Sequence, residues 1–193
     1  FIHEWGHVAM AKSFGWQVRE VELLPFGGVA RFDEVPESWR QEVCVILAGP
    51  LSNGLMIPFS LLFGRMGWWP PAWVDYFVLA NGLIAGFNLL PFPPLDGGRL
   101  LKVLAARFSS YLQVLKHSAI TGFFGAGCLG GFALFGWRTG AVHLNLLLIA
   151  CFLAVHNFQE WRLIPFHFLR FLLRRQRYPE RTRRYPPLML PVM

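Results

Sequence analysis

The chain is poor in charge. Only 15% of its 193 residues are Asp, Glu, Lys or Arg, against roughly 25% in soluble domains. With 54% hydrophobic residues and several apolar runs of the about 20 residues that a bilayer crossing needs, it reads as a polytopic α-helical membrane protein. Cysteine is equally sparse. Cys44, Cys128 and Cys151 lie far apart, form no C-x-x-C pair, and read as small core residues, not as ligands or disulfides. The excess of basic residues, +7 net, excludes nucleic acid as a partner, because the arginines sit beside hydrophobic spans and not on a soluble face. There is no internal repeat and no soluble second domain. A starting Met is also missing, and the first residues read as mid-helix. The expectation is an N-terminally truncated chain that lacks its first transmembrane helix, so that no signal peptide can be judged.

What is present begins at once. Phe1-Ile2-His3-Glu4-Trp5-Gly6-His7 contains H-E-x-x-H. On a helix, positions i and i+4 share a face, so His3 and His7 can offer two imidazoles to one metal. Glu4 beside them can reach a water on that metal without ligating it, which is the zinc-hydrolase arrangement. A chance match on an ordinary helix is the competing reading, and the rest of the chain must decide.

Residues 1 to about 14 read as the end of a membrane helix that stops near Gly15. From Trp16 to Phe32, near-alternating apolar residues around Pro25-Phe26-Gly27-Gly28 read as a β-hairpin or small sheet, and 33–41 as a polar interfacial connector. Membrane spans are expected over about 43–63, 74–90, 117–136 and 139–158. Ala48-Gly49-Pro50-Leu51-Ser52-Asn53 marks the first of these as kinked and closely packed. Trp68, Trp69 and Trp73 mark an interface. Pro91, Pro93 and Pro94 break the chain after Asn88, and 100–116 reads as one amphipathic interfacial helix. Two regions result: a membrane core over 1–161 and a basic tail over 162–193.

If the hairpin, residues 97–116 and the tail share a side, that side holds every Lys and Arg except Arg65 and Arg138. By the positive-inside rule it is cytoplasmic. His7 then lies roughly 12 Å inside the bilayer, at 1.5 Å per residue from Gly15, and ionisable groups at such depth are usually functional. Glu4 and Asp96 are the acids brought to this depth. A catalytic zinc needs three protein ligands and an open position. Asp96, after the proline-broken segment and before the flexible Gly97-Gly98 pair, is the third candidate. Its alternative role is to cap the following helix. His117, His143, His156 and His167 belong to no ligand pattern and read as interfacial or packing residues. Zinc in this set would activate water and polarise a carbonyl, with Glu4 moving the proton to the leaving amine. Asn53 or Asn88 could donate to the oxyanion or equally to a neighbouring helix. A free hairpin edge could pair with an unwound substrate, or be purely structural.

H-E-x-x-H in one membrane helix and Asn88-x-x-Pro91-x-x-Pro94-x-Asp96-Gly97 near a later one resemble the site-2 protease family of intramembrane zinc metalloproteases. The resemblance runs through Gly49-Pro50-Leu51-Ser52-Asn53 to Gly98 and covers nearly the whole chain. It implies a site-2 protease core with the small sheet at the cytoplasmic membrane face. It also implies Zn2+ on His3, His7 and Asp96, Glu4 as acid/base, and Asn88 and Pro94 near substrate. The short gap between hairpin and next span leaves no room for a PDZ domain. Pro25-Phe26-Gly27-Gly28 and Arg170-Phe-Leu-Leu-Arg174 resemble the sporulation branch. That branch implies a bacterial cell membrane, a membrane-tethered pro-sigma factor as substrate and membrane inhibitor proteins as partners. The nucleotide-binding CBS domain of that branch does not fit in the short tail. An anti-sigma factor or another membrane protein is the alternative substrate. A non-catalytic scaffold would not need His3, Glu4, His7 and Asp96, and a metal transporter would spread its ionisable residues over several spans.

Overall fold

The computed structural model describes residues 1–16, 18–24, 27–32, 38–135 and 143–177. Its elements are α1 (Ile2–Ser13), β1 (Val18–Leu24), β2 (Gly27–Phe32), α2 (Trp39–Arg65), α3 (Pro71–Asn88), α4 (Asp96–Ala105), α5 (Tyr111–Phe135) and α6 (Leu144–Arg177). They divide into two compact units, Phe1–Leu90 and Pro91–Met193.

In the first unit α1 packs on α2 and α2 on α3. Helix α1 stops where the sequence suggested, by a Schellman motif. Gly15 takes the left-handed conformation (φ 77°), its N–H donates to the Lys12 carbonyl, and Trp16 N–H donates to the Ala11 carbonyl. Ala11, Trp16 and Val45 then close a small apolar cluster. The same device ends α2. Gly67 (φ 72°) donates to Gly64, Trp68 to Phe63, and the Phe63 and Trp68 rings meet at 5.0 Å. Both stops rest on glycine because a Cβ is disfavoured at positive φ.

Strands β1 and β2 pair antiparallel, with an irregularity between Val18 and Glu20, and contact α1. Gly27 and Gly28, read from sequence as turn residues, pair with Leu24 and Leu23 and so belong to β2. Pro25 and Phe26 lie outside the described residues. Most of the expected 33–41 connector, residues 33–37, also lies outside them. Its end is helical: Ser38 caps α2 by accepting from Arg40 N–H at 3.3 Å.

In the second unit α4 packs on α5 and α5 on α6. The single helix expected over 100–116 is two. Helix α4 ends at Ala105, and a reciprocal capping box restarts the chain. Ser110 N–H donates to Gln113 Oε1 at 3.1 Å, and Gln113 N–H donates to Ser110 Oγ at 3.4 Å. Helix α6 runs through residue 162 without a break to Arg177, so the first half of the expected tail is helical. Residues 178–193 lie outside the described set.

Helices α2 and α5 are long and apolar enough to cross a membrane. Their packing is inverted relative to a soluble helix. Leu47, Leu51, Leu55, Phe59 and Leu62 of α2 are exposed, while Ala48, Gly49, Asn53 and Ser60 are buried. Helix α5 repeats this with Ser118, Ala119, Gly122, Gly125 and Ala126 inside and Phe123, Phe124 and Phe132 outside. Small residues at helix contacts with large apolar residues outward suit a lipid surround. The cysteines follow this logic. Cys44, Cys128 and Cys151 are free and exposed, not core residues, because the outer helix surface is itself apolar.

Candidate metal centre

Helix α1 carries the first cluster. His3 and His7 are buried on the face that meets α2, Glu4 is half-buried one residue on, and Trp5 is 75% exposed. One helical turn brings the rings together at a centroid distance of 4.8 Å, near perpendicular, with the two Nε2 atoms 3.3 Å apart.

Two observations test whether these nitrogens suit a metal. His7 Nδ1 lies 2.7 Å from the Val45 carbonyl, an oxygen that can only accept. A neutral His7 therefore keeps its proton on Nδ1 and turns the Nε2 lone pair toward His3, the tautomer and outer hydrogen bond usual for zinc-bound histidine. The spacing also agrees. Tetrahedral zinc with Zn–N bonds of about 2.0–2.1 Å sets neighbouring donors about 3.3–3.4 Å apart. The pair could hold such an ion.

The opposing wall is Gly49 of α2. A Cβ there would collide with His7 Nε2 and Cε1 and crowd His3 Cε1. Ser52 Oγ, one turn along, lies 2.6 Å from the Gly49 carbonyl and 3.1 Å from that of Ile2. Neither the Val45 carbonyl nor Gly49 was singled out by the sequence as part of the site. Gly49-Pro50 read as a packing kink, and nothing local says which helix it faces.

Asn53, one turn beyond Gly49, is buried with no partner for its Oδ1 among the described residues. Asn88, at the end of α3, donates Nδ2 to the Ile84 carbonyl of its own helix at 3.0 Å. A bond across helices was the alternative foreseen, and the observed one is local. Asp96 and Pro94 belong to the second unit. Asp96 is buried in the first turn of α4, whose N-cap position is Leu95. Its carboxylate stands 4.0 Å from the Arg99 guanidinium. The remaining histidines lie elsewhere. His143 stacks over Phe132 and His156 over Phe152, His117 is exposed and His167 half-buried.

Known proteins resemble this chain. The family model described as peptidase family M50 matches residues 1–69, the stretch holding α1, the hairpin and α2. Stage IV sporulation protein FB of Bacillus subtilis is 32% identical over 175 residues, covering 90% of this chain and 60% of that protein. A zinc metalloprotease of Methanocaldococcus jannaschii is 31% identical, over 80% of this chain and 44% of its own length. The chain thus spans about half of the curated relatives it matches. A site-2 protease structure from Methanocaldococcus jannaschii superposes with a TM-score of 0.64 at 30% identity, covering 82% of this chain and 72% of that one. With the histidine helix inside the matched family region and the fold shared over most of both chains, the chain belongs to the site-2 protease family, peptidase family M50.

Proposed function

We propose that this chain is the core of an intramembrane zinc metalloendopeptidase that cleaves a membrane-associated regulatory protein in or near its membrane segment. The observation that carries the proposal is the His3–His7 pair, two Nε2 atoms 3.3 Å apart with His7 oriented by the Val45 carbonyl. Around it stand helices whose large apolar residues face outward.

His3, His7 and Asp96, all buried, are the ligands we assign, a donor set of two imidazoles and one carboxylate known for catalytic zinc. When bound, zinc would supply Lewis acidity and lower the pKa of a coordinated water toward neutrality. Glu4 accepts the proton of the attacking water and passes it to the leaving amine. Asn53 is the better placed of the two amides to meet a developing oxyanion, since one of the two Asn88 N–H donors is already engaged. Pro94 and Asn88 flank the segment where substrate would lie. Each strand of the two-stranded sheet has an outer edge to which an unwound substrate could add as a further strand.

The site would face the cytoplasm, as the distribution of Lys and Arg argues, in a multi-pass protein of a bacterial cell membrane. The likeness to a sporulation protein favours a membrane-tethered pro-sigma factor over an anti-sigma factor as substrate, with membrane inhibitors as regulators. The test is co-expression of the full-length protein with each candidate. With wild type we expect the pro-sigma factor to be shortened. Glu4→Gln should abolish cleavage and largely keep zinc, whereas Asp96→Asn should lose cleavage through weakened zinc binding. Undiminished cleavage by Glu4→Gln would sink the mechanism, and unchanged zinc in Asp96→Asn would remove it from the ligand set. Cleavage of an anti-sigma factor alone would transfer the enzyme to another branch.

A further inference from the structure

The second unit buries a polar side chain that this chemistry does not use. Asn157 of α6 is 0% exposed. Its Nδ2 donates to the Leu153 carbonyl one turn earlier at 2.8 Å and to the Pro93 carbonyl at 2.9 Å. Both partners are carbonyls, so only the amide nitrogen can face them, and the orientation of the amide follows. Oδ1 is then turned to Gly122 of α5, where a Cβ would overlap the whole amide. It has no hydrogen-bond partner among the described residues. A buried amide with an open acceptor costs stability that leucine, of similar size, would not. Packing alone does not account for Asn157.

What it grips is the segment entering α4. Pro91, Pro93 and Pro94 cannot donate backbone hydrogen bonds, so this stretch has few means of fixing itself. Leu95 N–H donates to the Phe92 carbonyl and the Leu95 carbonyl accepts from Arg99 N–H, and two further grips come from α5 and α6. The Phe92 ring occupies the place where a Cβ on Gly125 would stand, and Asn157 takes the next carbonyl. Both grips fall within four residues of Asp96.

We propose that Asn157 is a positioning residue. Through Pro93 it sets the direction in which the chain enters α4, and so the aim of the Asp96 carboxylate at the metal. The inference rests on the reading of Asp96 as a ligand. The test uses the full chain in detergent, with zinc affinity measured by competition against a chromophoric chelator and melting measured on the metal-free protein. Asn157→Leu, which fills the volume without donating, should melt no lower than wild type yet bind zinc about tenfold more weakly, the loss usual for outer partners of a metal ligand. Asn157→Ala is the second variant and should weaken zinc similarly. In an Asp96→Asn background the same changes should alter zinc affinity less than about twofold, because coupled residues are non-additive. Wild-type zinc affinity in Asn157→Leu would overturn the proposal, as would an equal loss with and without Asp96. Asp96→Asn binding zinc like wild type would overturn the ligand reading itself, whatever Asn157 does.

Discussion

At the residue scale, the histidine pair depends on a side chain that is not there. The rings of His3 and His7 occupy the space that any larger residue at position 49 would need. Backbone carbonyls cannot be substituted, so the His7–Val45 bond is best probed through this opposing wall. Gly49→Ala introduces an overpacked contact of about 1–3 kcal/mol, which falls on the imidazoles, since the other side of the contact is helix backbone. We expect at least tenfold weaker zinc binding and a matching loss of cleavage, with secondary structure by circular dichroism unchanged. Normal zinc affinity in Gly49→Ala would mean that the rings have room to shift and that their spacing is not set by α2. The pairing of His3 with His7 was legible in the sequence because i,i+4 spacing is a local rule. Gly49 was not, since its role exists only once α1 lies against α2.

The elements show the same division between local and distant causes. The stop of α1 at Gly15 was readable because a Schellman glycine acts within its own turn. The break between α4 and α5 was equally local, and Ser110-x-x-Gln113 was the signal that should have ended the helix expected over 100–116. Asn157 gave no such signal, because its partner Pro93 is 64 residues away. Helix α4 also carries a consequence for pH. Burial pushes the Lys102 ammonium below its ordinary value of 10.5, with Glu160 opposing and Arg99 adding to the shift. The unfolded chain therefore holds more protons than the folded one between the lowered value and 10.5, so stability rises with pH through that window. Below it, the penalty of burying the charge is present in full. Lys102→Met should accordingly melt higher than wild type at neutral pH, and the difference should shrink as the pH climbs toward 10.5. A difference independent of pH would show that packing, not charge, is responsible.

For the whole molecule, low charge and long apolar runs announced a membrane protein, but not how its residues would be turned. Inversion of α2, with leucines outward and Ala, Gly, Asn and Ser inward, separates a lipid surround from a watery one by experiment. Leu51 is 59% exposed, close to the middle of Trp39–Arg65. In water, Lys at an exposed helix position would be harmless, typically within about 0.5 kcal/mol. At the centre of a membrane helix, the same change gives up a favourable residue and adds a charge costing about 2.5–3.5 kcal/mol. Leu51→Lys should therefore lower the fraction of protein that resists alkaline extraction from membranes, and Leu51→Ala should not. Because position 51 faces away from the histidines, whatever protein does insert should still bind zinc. Full insertion of Leu51→Lys would show that α2 does not meet lipid on that face, and the proposed hydrolysis would then have to be explained in an ordinary aqueous cleft.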